Sequence, residues 1–190
     1  MSDFRNLYRK NSELVLREIQ KALSVADIDA IERLAEDICN SEYVFLTGIG
    51  RVLMSMQAFC KRLTHLGICA HCVGDITEPA LSAGNLLIVA SGSGESIVPV
   101  AIAKKAKELG AKVVHIGSNT HGSIKQYCDY MVRIPVKTRL NRLDEIESKQ
   151  IMTSLFEQTI FILGDILSMI IMEEKKLEPD KLWQYHANIE

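Results

Sequence analysis

The chain has 190 residues, of which 47% are apolar and 24% charged, and its formal net charge is −2. This length suffices for one well-buried domain, and the small net charge predicts no partnership with nucleic acid. The N-terminus, MSDFRNLYRK, is unlike a secretion leader and the five cysteines are odd in number. We therefore expect reduced thiols and a cytoplasmic protein.

Two amphipathic helices are predicted before any strand, over residues 3–23 and 27–39, with Asp27 as the N-cap of the second. Five short apolar segments are then predicted as strands: residues 43–47, 68–73, 86–90, 112–116 and 130–134. Helical patterns come between and after them: residues 52–66, 97–109, 123–127 and 149–174, and a short helix from residue 179.

Strands that alternate with helices are typical of a parallel sheet covered on both faces. The predicted fold is thus α/β, a three-layer α/β/α architecture around a five-stranded parallel sheet. We expect one domain over residues 1–190, with an N-terminal helix at 3–23 and a C-terminal tail at 179–190. In such a sheet the ligand lies at the carboxyl ends of the strands, near the switch point.

The apolar stretch at residues 154–172 is long enough to be considered as a membrane span. It contains Glu157, Gln158 and Asp165. Charged groups near the centre of a span are costly, so we interpret the stretch as a buried core helix and predict no membrane contact.

A glycine- and serine-rich loop follows the third predicted strand, with the sequence Ser91-Gly-Ser-Gly-Glu-Ser96. Its glycines let the backbone approach a ligand, its hydroxyls can donate hydrogen bonds, and the following helix start favours an anion. The alternative is an ordinary β-to-α turn, because Ser and Gly favour helix caps. We predict a cradle for the phosphate of a phosphorylated small molecule. No Walker A motif occurs, which argues against a nucleotide triphosphatase.

A second glycine loop, Gly48-Ile-Gly50-Arg51, follows the first predicted strand. Leu53 stands where a dinucleotide fingerprint needs its third glycine, so NAD is not expected. The pair Cys69 and Cys72 has no second C-x-x-C to complete a zinc site. We predict neither a cofactor nor a metal.

Sugar-phosphate chemistry without a cofactor needs a base and a group that moves protons between oxygens. Glu157 is the predicted base, because a carboxylate held among apolar side chains is a stronger base than one in water. Asp165 is its rival on the same helix. His65 and His186 are the histidines able to reach a site. Arg51 opens a helix, where a cation opposes the helix dipole unless an anion lies nearby.

Four motifs occur in the order of one known family: Gly48-Ile-Gly50-Arg51, Ser91-Gly-Ser-Gly-Glu-Ser96, Gly117-Ser-Asn119 and Ser154-Leu-Phe-Glu-Gln158. Together they resemble the SIS (sugar isomerase) domain, which implies a flavodoxin-like fold. The last motif and the terminal His186-Ala-Asn-Ile-Glu190 are similar to the 6-phospho-3-hexuloisomerase family in particular. That resemblance implies interconversion of a 3-hexulose 6-phosphate and fructose 6-phosphate through an enediol.

The resemblance also implies roles for single residues. Glu157 is the implied base and His65 the implied second proton-transfer group. The implied substrate-binding residues are Gly50, Arg51, Ser91, Ser93, Ser96, Asn119 and His186. A homo-oligomer, dimer or tetramer, is implied as well, with His186 closing the site from the chain's own tail or a neighbour's.

Two other functions stay open on the sequence. One is a non-catalytic sugar-phosphate sensor; the other is another phosphosugar isomerase, such as arabinose 5-phosphate isomerase. A sensor joined to a helix-turn-helix domain would need more than the roughly 40 residues found before the first strand. The loop between the second and third strands lacks the histidine that the arabinose 5-phosphate enzymes carry there.

Overall fold

The computed structural model describes residues 3–189 and consists of alternating helices and strands. The helices are α1 (Phe4–Ser24), α2 (Ile28–Asn40), α3 (Arg51–His65), α4 (Ile97–Glu108) and α5 (Ser154–Glu174). The strands are β1 (Val44–Thr47), β2 (Ala70–Cys72), β3 (Leu86–Ala90), β4 (Lys112–Gly117) and β5 (Tyr130–Arg133). Two short 3₁₀ helices cover Ser123–Tyr127 and Pro179–Tyr185.

All five strands are parallel and lie in the order β2-β1-β3-β4-β5. The predicted five-stranded parallel sheet is confirmed. The chain leaves β1 for β2 on one side and then returns to place β3 on the other. The switch point therefore falls between β1 and β3, where a doubly wound sheet binds its ligand.

Successive side chains along each strand enter two separate cores, because a strand alternates its faces. In β1, Val44 and Leu46 pack with α1, α2, α3 and α5, whereas Phe45 packs with α4 and the first 3₁₀ helix. The two faces are unequally covered: four helices lie on one side and a single α-helix on the other. This is the predicted three-layer arrangement.

Helix α5 lies in the larger of these two helical layers, against α3. Gly164 allows the close approach, since a Cβ there would lie 2.9 Å from the Phe59 ring of α3. By length and composition α5 also passes as a candidate membrane span, yet 56% of its most apolar window is buried inside the protein. The packing supports the prediction of a core helix.

The ends of several elements differ from the sequence prediction. Asp27 caps α2 as expected, with its Oδ1 accepting from the Ala30 N–H at 3.1 Å. Helix α5, however, starts at Ser154 and not at residue 149, because Met152 has a left-handed φ of 54° and the preceding residues bond to α1. Helix α1 packs on α5 through Ile19 and Ala22. Of the predicted tail, Glu190 lies outside the described residues.

Candidate functional site

Three loops that the sequence singled out meet at the carboxyl edge of the sheet. Residues 48–50 follow β1, residues 91–96 follow β3, and residues 118–119 follow β4, and these three strands are neighbours. The amides of Ser118 and Asn119 both donate to the Gly92 carbonyl at 3.0 Å. The loops after β3 and β4 are therefore joined into one unit.

The loop of residues 91–96, which we call the serine loop, is shaped by its own hydroxyls. The Gly94 amide donates to Ser91 Oγ at 3.2 Å, and the Glu95 amide donates to Ser93 Oγ at 3.2 Å. Ser91 Oγ lies 3.4 Å from Ser96 Oγ. Ser91 and Ser93 are buried, so their hydroxyls face inward along a tight turn.

Backbone donors remain at the end of this loop. Helix α4 begins without a side-chain cap, and Ile97 and Val98 in its first turn are exposed. Within residues 3–189, no hydrogen bond has the amide of Ser93, Ile97 or Val98 as its donor. Such free amides at a helix start are the groups that hold phosphate in other proteins.

Two buried side chains support the serine loop from behind. His115, at 2% exposure, has its Nε2 2.8 Å from the Ser91 carbonyl oxygen, and burial lowers its pKa despite this bond. The neutral ring therefore donates from Nε2. Asn119 Nδ2 donates to the Ser93 carbonyl at 2.9 Å. Asn119 thus braces the loop, and direct substrate contact by Asn119 stays a prediction.

Gly94 is required by the serine loop, which gives a first testable prediction. Its φ is +67°, and an added Cβ would lie 3.1 Å from the Gly122 Cα. Gly94→Ala is expected to lower the free energy of unfolding by about 1–2 kcal/mol from the left-handed backbone alone, and to weaken sugar-phosphate binding.

Chemical denaturation and calorimetric binding of fructose 6-phosphate measure these two effects. Gly84→Ala is the matched control, since Gly84 has a φ of +90° but open space around it. It should lose stability and keep its affinity. Equal affinities in the two variants would contradict a binding role for the serine loop.

Glu157 and Arg51 form an ion pair beside the serine loop. Arg51 Nε lies 2.6 Å from Glu157 Oε2, and the side-chain exposures are 68% and 6%. Ser55 Oγ donates to the Glu157 carbonyl at 2.8 Å. A Cβ on Gly92 would lie 3.4 Å from the ring of Phe156, so the loop touches the residue next to Glu157. A buried carboxylate and an exposed cation thus lie near the serine loop.

The carboxylate opens onto a cavity of about 480 Å³ that α1, α3 and α5 enclose. Arg51 and Ser55 line it on one side, and Val15 and Ile19 of α1 on another. Met54 and Phe161 also line the cavity, and these residues are 64% and 48% exposed. The volume falls in the usual range for small-molecule sites, and the described residues that line the cavity do not include the serine loop.

His65 and His186 also come together, but at the other end of α3. Their rings stack with centroids 5.2 Å apart and 20° between the planes. They line a second cavity of about 490 Å³ with Trp183, Met169 and Asp165. Asp165, the rival base, forms a surface ion pair with Arg62 at 3.0 Å.

One chain therefore does not bring Glu157 and His65 to the same place. Arg51 and His65 are the first and last residues of α3, which puts them about 21 Å apart along the helix axis. Arg51 holds Glu157, so the predicted base and the predicted second group belong to two cavities.

Sequence reasoning missed a buried carboxylate beside the serine loop. Glu145 accepts from the Thr138 amide at 2.9 Å and the Thr138 hydroxyl at 2.7 Å, and Thr138 packs on Gly92. Glu145 thereby holds the charged loop at residues 137–148 against the serine loop. Its place in a polar loop gave no sign of burial. Within residues 3–189, no group of three metal-ligating side chains is found.

Comparison with known proteins places this architecture in a family. A model of the SIS domain matches residues 37–162. The 3-hexulose-6-phosphate isomerase of Bacillus subtilis is 34% identical over 176 residues, 93% of this chain and 95% of that protein. That of Mycobacterium gastri is 34% identical over 180 residues, covering 95% and 90%.

A solved structure from Methanococcus jannaschii, for which a function as 3-hexulose-6-phosphate isomerase was inferred, superposes with a TM-score of 0.82. It is 26% identical and the match covers 95% of this chain and 99% of that one. The family match spans both glycine loops and Glu157, and the relatives align over nearly the full length. The chain belongs to the SIS domain family.

Proposed function

We propose that this protein is a sugar-phosphate isomerase that interconverts a 3-hexulose 6-phosphate and fructose 6-phosphate through an enediol intermediate. The single observation that carries the proposal is the buried Glu157 carboxylate, held by Arg51 beside the serine loop. Relatives named 3-hexulose-6-phosphate isomerase, aligned over almost the whole chain, supply the substrate class.

In this mechanism the serine loop and the start of α4 hold the phosphate. Ser91, Ser93 and Ser96 supply hydroxyls, and Gly50 and Arg51 form the opposite wall. Glu157 removes the proton from C2 of the 3-ketose and returns it to C3, while the oxygen-bound proton moves from O2 to O3. No cofactor is needed, since the hydrogen is transferred as a proton.

The second proton-transfer group is proposed to be His65, with His186 beside it, from another copy of the chain. The two ends of α3 lie about 21 Å apart, at about 1.5 Å per residue. Glu157 and His65 can therefore act on the same sugar only if they come from different copies of the chain. Exposed apolar side chains surround both cavities, among them Met54 and Phe161 at one and Met169 and Trp183 at the other. Such surfaces are typical of subunit contacts. We therefore propose that the protein is a homo-oligomer. We also propose that it is located in the cytoplasm.

Proton exchange in heavy water tests the proposed function. Pure protein is incubated with fructose 6-phosphate without added metal, and the sugar is followed by NMR. We expect deuterium at C3 of fructose 6-phosphate and the appearance of a 3-ketose. Deuterium at C1 would indicate an aldose–ketose isomerase instead. Thermal protection by the sugar without any exchange would overturn the enzymatic proposal in favour of a sensor.

A further inference from the structure

A carboxylate on α1 fastens the segment that leads into α5. Glu18 is buried at 8% exposure. It accepts hydrogen bonds from the Lys149 amide at 2.9 Å, the Ser148 hydroxyl at 2.7 Å and Gln150 Nε2 at 3.2 Å. Three consecutive residues are thus tied to one side chain some 130 positions earlier in the chain.

The segment that follows, which contains Ile151 and Met152, is only weakly stabilised by its own structure. Ile151 and Met152 are 80% and 87% exposed, and Met152 adopts a φ of 54°, which a side chain disfavours. Helix α5 begins without a side-chain cap. The position of its first turn is therefore set by what holds the residues just before it.

Backbone hydrogen bonds link residues 151–153 to Glu157, so the position of this segment affects the position of Glu157. The Ile151 carbonyl accepts from the Ser154 amide at 3.1 Å, and the Thr153 carbonyl accepts from the Glu157 amide at 3.4 Å. On the other side, Val15 and Ile19 of α1 line the cavity that contains Glu157. Helix α1 thus fixes both the start of α5 and one wall of the cavity.

We propose that Glu18 is a positioning residue for Glu157, acting through residues 148–153. The inference rests on the proposed function, and it concerns a residue outside the stretch 37–162 that the family model matches. In this chain the helix before the SIS region therefore helps to position the proposed catalytic base.

The charge state of Glu18 suits this role. Burial by itself raises its pKa, but the hydrogen bonds from Lys149, Ser148 and Gln150 and the charge of Arg17 lower the pKa more, so the net shift is downward. The side chain is ionised at neutral pH and accepts all three bonds as a carboxylate, which strengthens each of them.

The experiment compares Glu18→Ala and Glu18→Gln with the wild type, with Glu13→Ala as the matched control on an exposed position of the same helix. Two quantities are measured: kcat and KM for fructose 6-phosphate, and amide hydrogen exchange of peptides that cover residues 148–158. The exchange measurement needs no substrate, so unchanged exchange in Glu18→Ala would overturn the inference even if wild-type protein shows no turnover. Absence of wild-type turnover would count against the proposed function alone.

Glu18→Ala is expected to lower kcat by up to about 100-fold, because small displacements of a catalytic group are costly, with KM nearly unchanged. Exchange over residues 148–158 should accelerate. Glu18→Gln should recover part of kcat, since its amide oxygen still accepts. If Glu18→Ala fails to fold, Ser148→Ala removes one of the three bonds to Glu18, together with the bond from the Gln150 amide to Ser148 Oγ, and should give a smaller change of the same kind. Wild-type kcat in Glu18→Ala would overturn the proposal whether or not exchange accelerates, and so would a rise in KM alone.

Discussion

Glu157→Gln is expected to reduce turnover by about 10²–10⁴-fold, the usual contribution of a general base. The variant keeps the size of the side chain, and Arg51 Nε can still donate to the amide oxygen in place of the 2.6 Å ion pair. The serine loop is not altered, so the affinity for fructose 6-phosphate should hardly change. Deuterium incorporation at C3 measures the rate, and calorimetry measures the affinity.

The control is Glu173→Gln, which removes an exposed carboxylate from the other end of the same helix. It should keep the wild-type rate. A normal rate in Glu157→Gln would remove the proposed base. Loss of fructose 6-phosphate binding in Glu157→Gln would instead show that the carboxylate holds the ligand in place.

The position of the serine loop was predictable because its signals are local. A buried strand at residues 86–90, the serine loop and a helix from residue 97 follow one another directly, and the structure has all three. Five short apolar runs that alternate with helices likewise predict a parallel sheet, and the central strands β1 and β3 are buried on both faces. The order and register of the strands depend on contacts between distant segments, which a single sequence does not reveal.

The partner of Arg51 was predictable only in part. A cation at a helix start demands an anion, and the sequence suggested a ligand for that place. The structure places the carboxylate of Glu157, 106 positions away, at this helix start. Partnerships across such separations leave no periodic signal in a single sequence.

Glu18 illustrates the same limit from the other direction. It lies between Val15 and Ile19 on a helix whose pattern gives no sign of a buried carboxylate. An acidic side chain at such a position is usually solvated. Two of its three donor residues, Lys149 and Gln150, come from a polar segment that the helical pattern assigned to α5, and the third, Ser148, ends the loop before it. The error in the start of α5 and the failure to notice Glu18 therefore have one cause, the bonds between them.

A mixture of two inactive variants is expected to regain activity, because the proposed site takes Glu157 from one copy and His65 from another. His65→Asn keeps a polar side chain of similar reach but removes the titratable ring. Alone it should lose turnover by about 10²–10⁴-fold, as expected for loss of a general acid–base group. Glu157→Gln alone is inactive for the reason given above.

When the two variants are mixed and their subunits exchange, half of the pairs contain one chain of each kind. In a two-fold contact each such pair has one site with both native residues and one with neither. About a quarter of all sites should therefore be intact, and the rate should rise to about a quarter of the wild-type rate.

Each variant exchanged with itself is the control and should stay inactive. Repeating the mixture with His186→Asn in place of His65→Asn tells which of the two stacked rings transfers the proton. Only the variant that lacks the proton-transfer ring should be inactive alone and regain turnover in the mixture. Sedimentation of the unmixed protein tests whether it forms an oligomer. If the protein is oligomeric and mixing restores nothing, Glu157 and His65 do not share a site across subunits. The 21 Å along α3 (about 1.5 Å per residue) then removes His65 from the mechanism altogether.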